Sequence, residues 1–303
     1  PYVIAFTDGG APSSSLYAGT LTTPWADSLG ISGYVPAGGR GRVAGVGITG
    51  RNAAYPYTVG LANPAAQYWG SARASDGFFS IGGVLPGTYT LTVFKGELAV
   101  HTTSVSVSAG ATTTLNTIAI PSSNDPGNAS AIWRINDWNG TPSVFKNADL
   151  MTYAHPSDVR AASWTGNVVI GSGTETSAFP CYLWKDVNSG LLVYFKLTPA
   201  QAAAAHTLRI GVTTAYANGR PQVVVNDTWT SPIPSPPTQP NTRSLTNGSY
   251  RGNNHTFTYN VPASAWRTDT SQYNVLKINV VSGSGAASYL SAGTAIDALD
   301  LLT

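Results

Sequence analysis

The feature that most constrains this chain is its punctuation. Short runs of β-forming residues are broken by Gly, Pro, Asn and Ser at intervals of about 8–12 residues, the spacing of a β-sandwich rather than of helices. The clearest case follows the turn Pro86-Gly87. In Tyr89–Val93, residues Tyr89, Leu91 and Val93 share one face and Thr90 and Thr92 the other, the period of two that a half-buried strand requires. Val105 and Val107 keep that period in the next run, whereas Val100 is out of phase, so Glu97–Ser108 is expected to contain a bulge or break.

Composition supports an all-β reading. Charged residues make up 10% of the 303, against roughly 25% in an ordinary soluble domain. Thr, Val, Tyr and Trp are abundant and favour strands. The net charge is +2, with no basic run or cluster, so nucleic acid is not an expected partner. No apolar run is long enough to span a membrane as a helix. The one cysteine, Cys181, excludes an intrachain disulfide and reads as a buried strand thiol. No His or basic group nearby would make it a nucleophile.

The chain begins at Pro1 with neither initiator Met nor signal peptide, and so reads as a mature, processed or fragmentary polypeptide. Residues 1–36 hold one apolar run, Tyr2–Thr7, which cannot bury a core alone and should pack on something else. Residues 37–121 read as a first sandwich, with strands Arg42–Gly50, Tyr57–Asn63, Gln67–Ala74, Phe78–Ile81, Tyr89–Val93, Glu97–Ser108 and Thr112–Ile120. The linker is 122–130, rich in Ser, Asn, Pro and Gly. Residues 131–303 follow as a larger β domain. Its strands are expected at Asn167–Ile170, Tyr182–Trp184, Leu191–Leu197, Leu208–Val212, Gln222–Val225, His255–Tyr259, Val275–Val281 and Ala295–Leu302, a jelly-roll count. A helical turn is expected at Pro199–Ala205, capped by Thr198, and another from Pro156.

Periodicity leaves one stretch unexplained, Ile132–Arg160 (IWRINDWNGTPSVFKNADLMTYAHPSDVR). Its Trp-Arg-Ile-Asn-Asp-Trp-Asn-Gly-Thr-Pro start, Asn147-Ala148-Asp149 and His155-Pro156-Ser157-Asp158 resemble the C-terminal jelly roll of family 4 polysaccharide lyases, the fungal rhamnogalacturonan lyases. Leu208–Gly211 and Gly219-Arg220-Pro221 add to the likeness. The run from Gly83 through Tyr89 into Val93-Phe94 is similar to that family's fibronectin-III-like middle domain. The resemblance implies the tail of a larger catalytic β-sandwich at 1–36, the fibronectin-III-like domain at 37–121 and a carbohydrate-binding-like jelly roll at 131–303. It also implies a secreted protein that degrades the rhamnogalacturonan I backbone of pectin by β-elimination.

Elimination at a uronate needs a base for the C5 proton and a cation against the carboxylate. In the resembling family a Lys and a His serve, and the His sits just before a Gly-Pro-Tyr segment. Since this chain starts at Pro1-Tyr2, the resemblance places both upstream, with no catalytic residue in this chain and no catalytic cofactor. The implied partners are the pectin polysaccharide and an N-terminal catalytic half held by sheet pairing. The alternative is a stand-alone, non-catalytic binding or spacer module. The chain's own histidines, His101, His155, His206 and His255, fall at no metal-ligand spacing, and P-loop, His-Glu-x-x-His and Gly-x-Ser-x-Gly signatures are absent.

For sugar binding, aromatic rings that stack on C–H faces and arginine forks that match a carboxylate make Trp184, Lys185, Arg220 and Arg251 the candidates. Trp133 and Trp138 read as core. For a structural Ca²⁺, the oxygen ligands Asp137, with Asn136, and Asp297 or Asp300 could meet across a sheet. On a regular strand the last two, three apart, face opposite sides, so one alone would serve. Sequons start at Asn128, Asn139, Asn226, Asn247 and Asn254, and suggest secretion.

Overall fold

The computed structural model describes residues 9–10, 27, 29–153, 159–240, 250–282 and 292–303, without the side chains of 152–160. The expected strand Tyr2–Thr7, the start of the turn at Pro156, His155 and Asn247 lie outside the described residues. No helix among the described residues is long and apolar enough to cross a membrane. The chain divides into two compact units. One holds residues up to Lys95 together with Val100–Pro121, and the other Gly96–Ala99 with Ser122–Thr303.

The strands that lie wholly or mainly in the first unit are β1 Gly41–Gly45, β2 Ile48–Thr49, β3 Tyr57–Ala62, β4 Gln67–Ser71, β5 Phe79–Val84, β6 Gly87–Lys95, β7 Leu98–Val107, of which Val100–Val107 belong to this unit, β8 Thr112–Leu115 and β9 Ile118–Ala119. They form a β4-β3-β6-β7 sheet, a β5-β1-β8 sheet and a β2-β9 pair. The alternation read in Tyr89–Val93 is the alternation of burial, with Tyr89, Leu91 and Val93 inside. Tyr89 Oη also donates to the Leu85 carbonyl (2.8 Å), which ties the ring to the turn. The expected strands Arg42–Gly50 and Thr112–Ile120 are each broken in two. Both break at the same level, because β1 pairs with β8 and β2 with β9, each in parallel. β7 is continuous, but its buried set changes phase from Leu98 and Val100 to Val105 and Val107.

The second unit is a sandwich. Its strands are β10 Ala131–Ile135, β11 Asn167–Val169, β12 Tyr182–Trp184, β13 Leu191–Phe195, β14 His206–Tyr216, β15 Arg220–Val225, β16 Trp229–Thr230, β17 His255–Val261, β18 Asn274–Val281 and β19 Gly293–Leu302. One sheet runs β10-β19-β14-β17, with β12 pairing the start of β19 and β10 its end. The other runs β11-β13-β18-β15-β16. Between them lies one apolar core that includes Ile135, Leu208, Ile210, Leu299 and Leu301 from the first sheet and Val193, Phe195, Val223, Leu276 and Ile278 from the second. Each expected strand of this region exists; several extend further, while β11 and β13 end one and two residues short. The helical turn expected at Pro199–Ala205 is shorter, Pro199–Ala202. Thr198 Oγ1 accepts from Gln201 N, and Gln201 Oε1 accepts from Thr198 N, a full capping box.

Candidate functional site

The segment Trp133–Thr141 is built as scaffold. Arg134 on β10, Asp300 on β19 and Arg209 on β14 lie side by side across three strands. Asp300 is fully buried. Its Oδ2 accepts from Arg134 Nε (3.0 Å), Arg209 Nη2 (2.7 Å) and Trp138 Nε1 (3.0 Å), and its Oδ1 from Arg209 Nε (2.9 Å). Arg134 reaches on to the carbonyls of Gly127 and Ala129, and Arg209 to that of Pro126, so the two arginines also pin the preceding loop. The Trp138 ring lies 4.8 Å from the Arg209 guanidinium carbon and directly over Gly211, where a Cβ would come within 2.5 Å of the ring.

Asp297 caps the adjoining turn. Its Oδ1 accepts from the amides of Asn139 (3.3 Å), Gly140 (2.8 Å) and Thr141 (3.1 Å), while Asn136 Nδ2 donates to its carbonyl (2.7 Å). The expectation that Asp297 and Asp300 face opposite sides is corrected here. Gly211 pairs with Ala298 and Val212 with Ile296, which leaves Asp297 as the extra residue of a bulge. A bulge resets the alternation, and both carboxylates turn to the side that carries Trp138–Thr141. The calcium reading does not fit Asp300, since guanidinium and indole donors already surround its oxygens. Asp137 Oδ1 accepts from the Trp138 amide (2.9 Å). Among the described residues no three His, Cys, Asp or Glu side chains are grouped to hold a metal.

The four expected sugar contacts do not converge on one open site. Trp184 is 2% exposed and stacks on Tyr182 (centroids 4.3 Å apart) and against Trp164 (5.4 Å). β12 is buried on both faces, and Gly293 opposite leaves room for the two rings. Trp184 is therefore core. Arg220 is also buried, and its guanidinium donates to the carbonyls of Pro234 and Asn218. Burial lowers its pKa. It anchors the proline-rich stretch instead of facing solvent. Lys185 stands 4.0 Å from the Asp186 carboxylate. Arg251 is the most open, paired with Glu97 of the same unit (3.0 Å) and stacked on Tyr250 (5.0 Å). Its pairing with Glu97 raises its pKa. Cys181 is buried, which pushes its thiol pKa far up and leaves it unreactive.

Sequence reasoning missed the outward face of the β11-β13-β18-β15-β16 sheet. There Tyr194 meets Tyr273 edge to face (6.4 Å), and Lys196 Nζ lies 5.0 Å from the Tyr273 ring centre. Tyr273 and Lys277 are exposed. The signal was present in the outward positions of β13 and β18, where Tyr194 and Lys277 alternate with core residues. Trp69 on β4 of the first unit is 74% exposed, and it too was missed.

The sequons sort by geometry. Asn128 and Asn254 are exposed, and each Nδ2 makes one bond to a carbonyl, of Ser122 and Glu97 respectively. Asn139 is 7% exposed. Asn226 spends both Nδ2 hydrogens, on Ala265 O and Asn274 Oδ1. Asn139 and Asn226 are thus corrected to structural residues, since a glycan needs one free N–H position and an open path to solvent. Peptide mapping of the chain secreted from a glycosylating host should find glycan at Asn128 or Asn254 and none at Asn139 or Asn226. Occupancy at Asn139 would refute this assignment.

Two family models match the chain. Residues 131–301 match domain III of polysaccharide lyase family 4, described as CBM-like, and residues 39–115 match domain II of the same family. Rhamnogalacturonate lyase A of Emericella nidulans is 40% identical over 99% of the chain and 54% of its own length. Rhamnogalacturonate lyase A of Aspergillus aculeatus is 39% identical, also over 99% and 54%. The chain spans about half the length of the curated relatives it matches.

Proposed function

Because the chain belongs to polysaccharide lyase family 4, we propose that it is the C-terminal portion of a secreted rhamnogalacturonan endolyase and supplies its accessory domains. The observation that carries this reading is the continuity of the likeness. Both family domains and the 40% identity run through nearly the whole chain, while the lyases themselves are almost twice as long. In this reading the elimination at galacturonate is carried out by the part of the protein upstream. The described residues supply framework and a saccharide-facing surface. Nothing in the geometry of Asp297, Asp300, Arg134 and Arg209 suits proton abstraction, since each is spent on a buried hydrogen-bonded scaffold.

The test has two arms. The 303-residue chain should be retarded by rhamnogalacturonan I in affinity electrophoresis. Incubated with the same polymer, it should yield no ultraviolet-absorbing unsaturated product. A longer protein that includes the upstream domain should yield that product. Product from the 303-residue chain alone would overturn the assignment of catalysis to the upstream part.

A further inference from the structure

We propose that the outward face of the β11-β13-β18-β15-β16 sheet is a binding surface for an acidic saccharide, one that carries uronate carboxylates along its chain. This rests on the accessory role proposed above and adds the chemical class of the ligand and the residues that select it. The face combines the two elements such a ligand needs. Tyr194 and Tyr273 supply rings for the apolar C–H faces of pyranoses. Lys196 and Lys277 supply positive charge for carboxylates.

Charge complementarity is what commits the face to an acidic partner. The five strands of this sheet contain no Asp or Glu. Lys196 and Lys277 are exposed, and neither forms an ion pair among the described residues. The acidic groups that flank these strands in sequence are Glu175 after β11, Asp186 before β13, Asp227 after β15 and Asp269 before β18. Glu175 accepts from the Gly171 amide, Asp186 stands beside Lys185, and Asp269 is engaged by Ser271 and Gln272. The charged side chains that the strands themselves carry are all positive.

Spacing argues for a chain and against a single sugar acid. Phe195 pairs with Asn274 and Leu192 with Lys277, and just past the end of that ladder Lys196 reaches the Tyr273 ring. Lys196 and Lys277 then stand four strand positions apart, roughly 13 Å at the usual rise per residue. One carboxylate cannot bridge both, whereas an extended oligomer lying along β18 can engage one at each end and stack on the tyrosine pair at the Lys196 end. The Lys277 stem runs across Gly190, 3.5 Å from where a Cβ would stand, so the glycine keeps that end of the face flat.

The experiment uses the full 303-residue chain and two forms of one polymer: rhamnogalacturonan I, and the same material with its carboxyls reduced to primary alcohols. The native polymer should bind at least about tenfold more tightly than the reduced one, and the preference should shrink as salt rises. The double variant Lys196→Gln/Lys277→Gln should abolish the preference, and Tyr194→Ala should weaken both forms. Thermal midpoints of these variants should stay at the wild-type value, since the side chains lie outside the core. Equal binding of both polymers, or an unchanged preference in the double variant, would overturn the proposal while leaving an accessory binding role intact. Retention of neither polymer by the wild-type chain would overturn the binding role itself, and this proposal with it.

Discussion

Asp300→Ala should lower the stability of the second unit by about 3–5 kcal/mol, because truncating one member of a buried ion cluster leaves the others uncompensated. Here one carboxylate answers two guanidiniums and an indole N–H. The arginine side chains are themselves only 23% and 14% exposed. Without Asp300 two positive charges face each other across β19 with little water to screen them. Arg134 and Arg209 would then pull from the carbonyls of Gly127, Ala129 and Pro126, and the loop before β10 would loosen with them. For a unit of this size a loss on that scale lowers the thermal midpoint on the order of 10 °C. Asp300→Asn keeps the shape and removes the charge. It should fall between wild type and Ala, since one amide oxygen cannot accept all four bonds. Chemical denaturation of the three proteins decides the matter. An Asp300→Ala loss under about 1 kcal/mol would show that the cluster is no more than a surface-type pair.

Much of the fold was legible because alternation and breaks are local properties. Tyr89, Leu91 and Val93 declare their inner face, and Tyr182–Trp184 has the strand bounds expected of it. The site was less legible, for two physical reasons. Burial on both faces of a strand is a property of what packs against it, so Trp184 at a strand end looks the same in sequence whether it meets a sugar or Tyr182. A bulge is set by the partner strand, so nothing in Ile296–Asp300 alone reveals that Asp297 is the extra residue opposite Gly211 and Val212. That single register shift separates two carboxylates on opposite faces from two carboxylates serving one turn. The sequons show the same limit: Asn139 and Asn128 carry identical signals, but only the fold makes the first a buried turn residue.

Trp138→Ala should cost about 3–5 kcal/mol, the range for removing a fully buried large aromatic ring, and the neighbourhood allows the cause to be isolated. The ring is 1% exposed and rests on Gly211, which has no side chain to fill the gap its loss would leave. The indole N–H also holds Asp300, so the variant removes one of that carboxylate's donors as well as the packing. The reverse change tests the fit from the other side. Gly211→Ala places a methyl about where the ring now lies, and should cost about 1–3 kcal/mol by overpacking. Gly211 sits in ordinary extended backbone within β14, so no conformational strain confuses the reading. If the two residues are complementary surfaces, the second methyl is harmless once the ring is gone. The double variant should then be more stable than the sum of the singles predicts by at least about 1 kcal/mol, as contacting pairs show in such cycles. Additivity within about 0.5 kcal/mol would mean that Trp138 and Gly211 are independent. The Trp-Asn-Gly turn would then owe its place in the chain to something other than this packing.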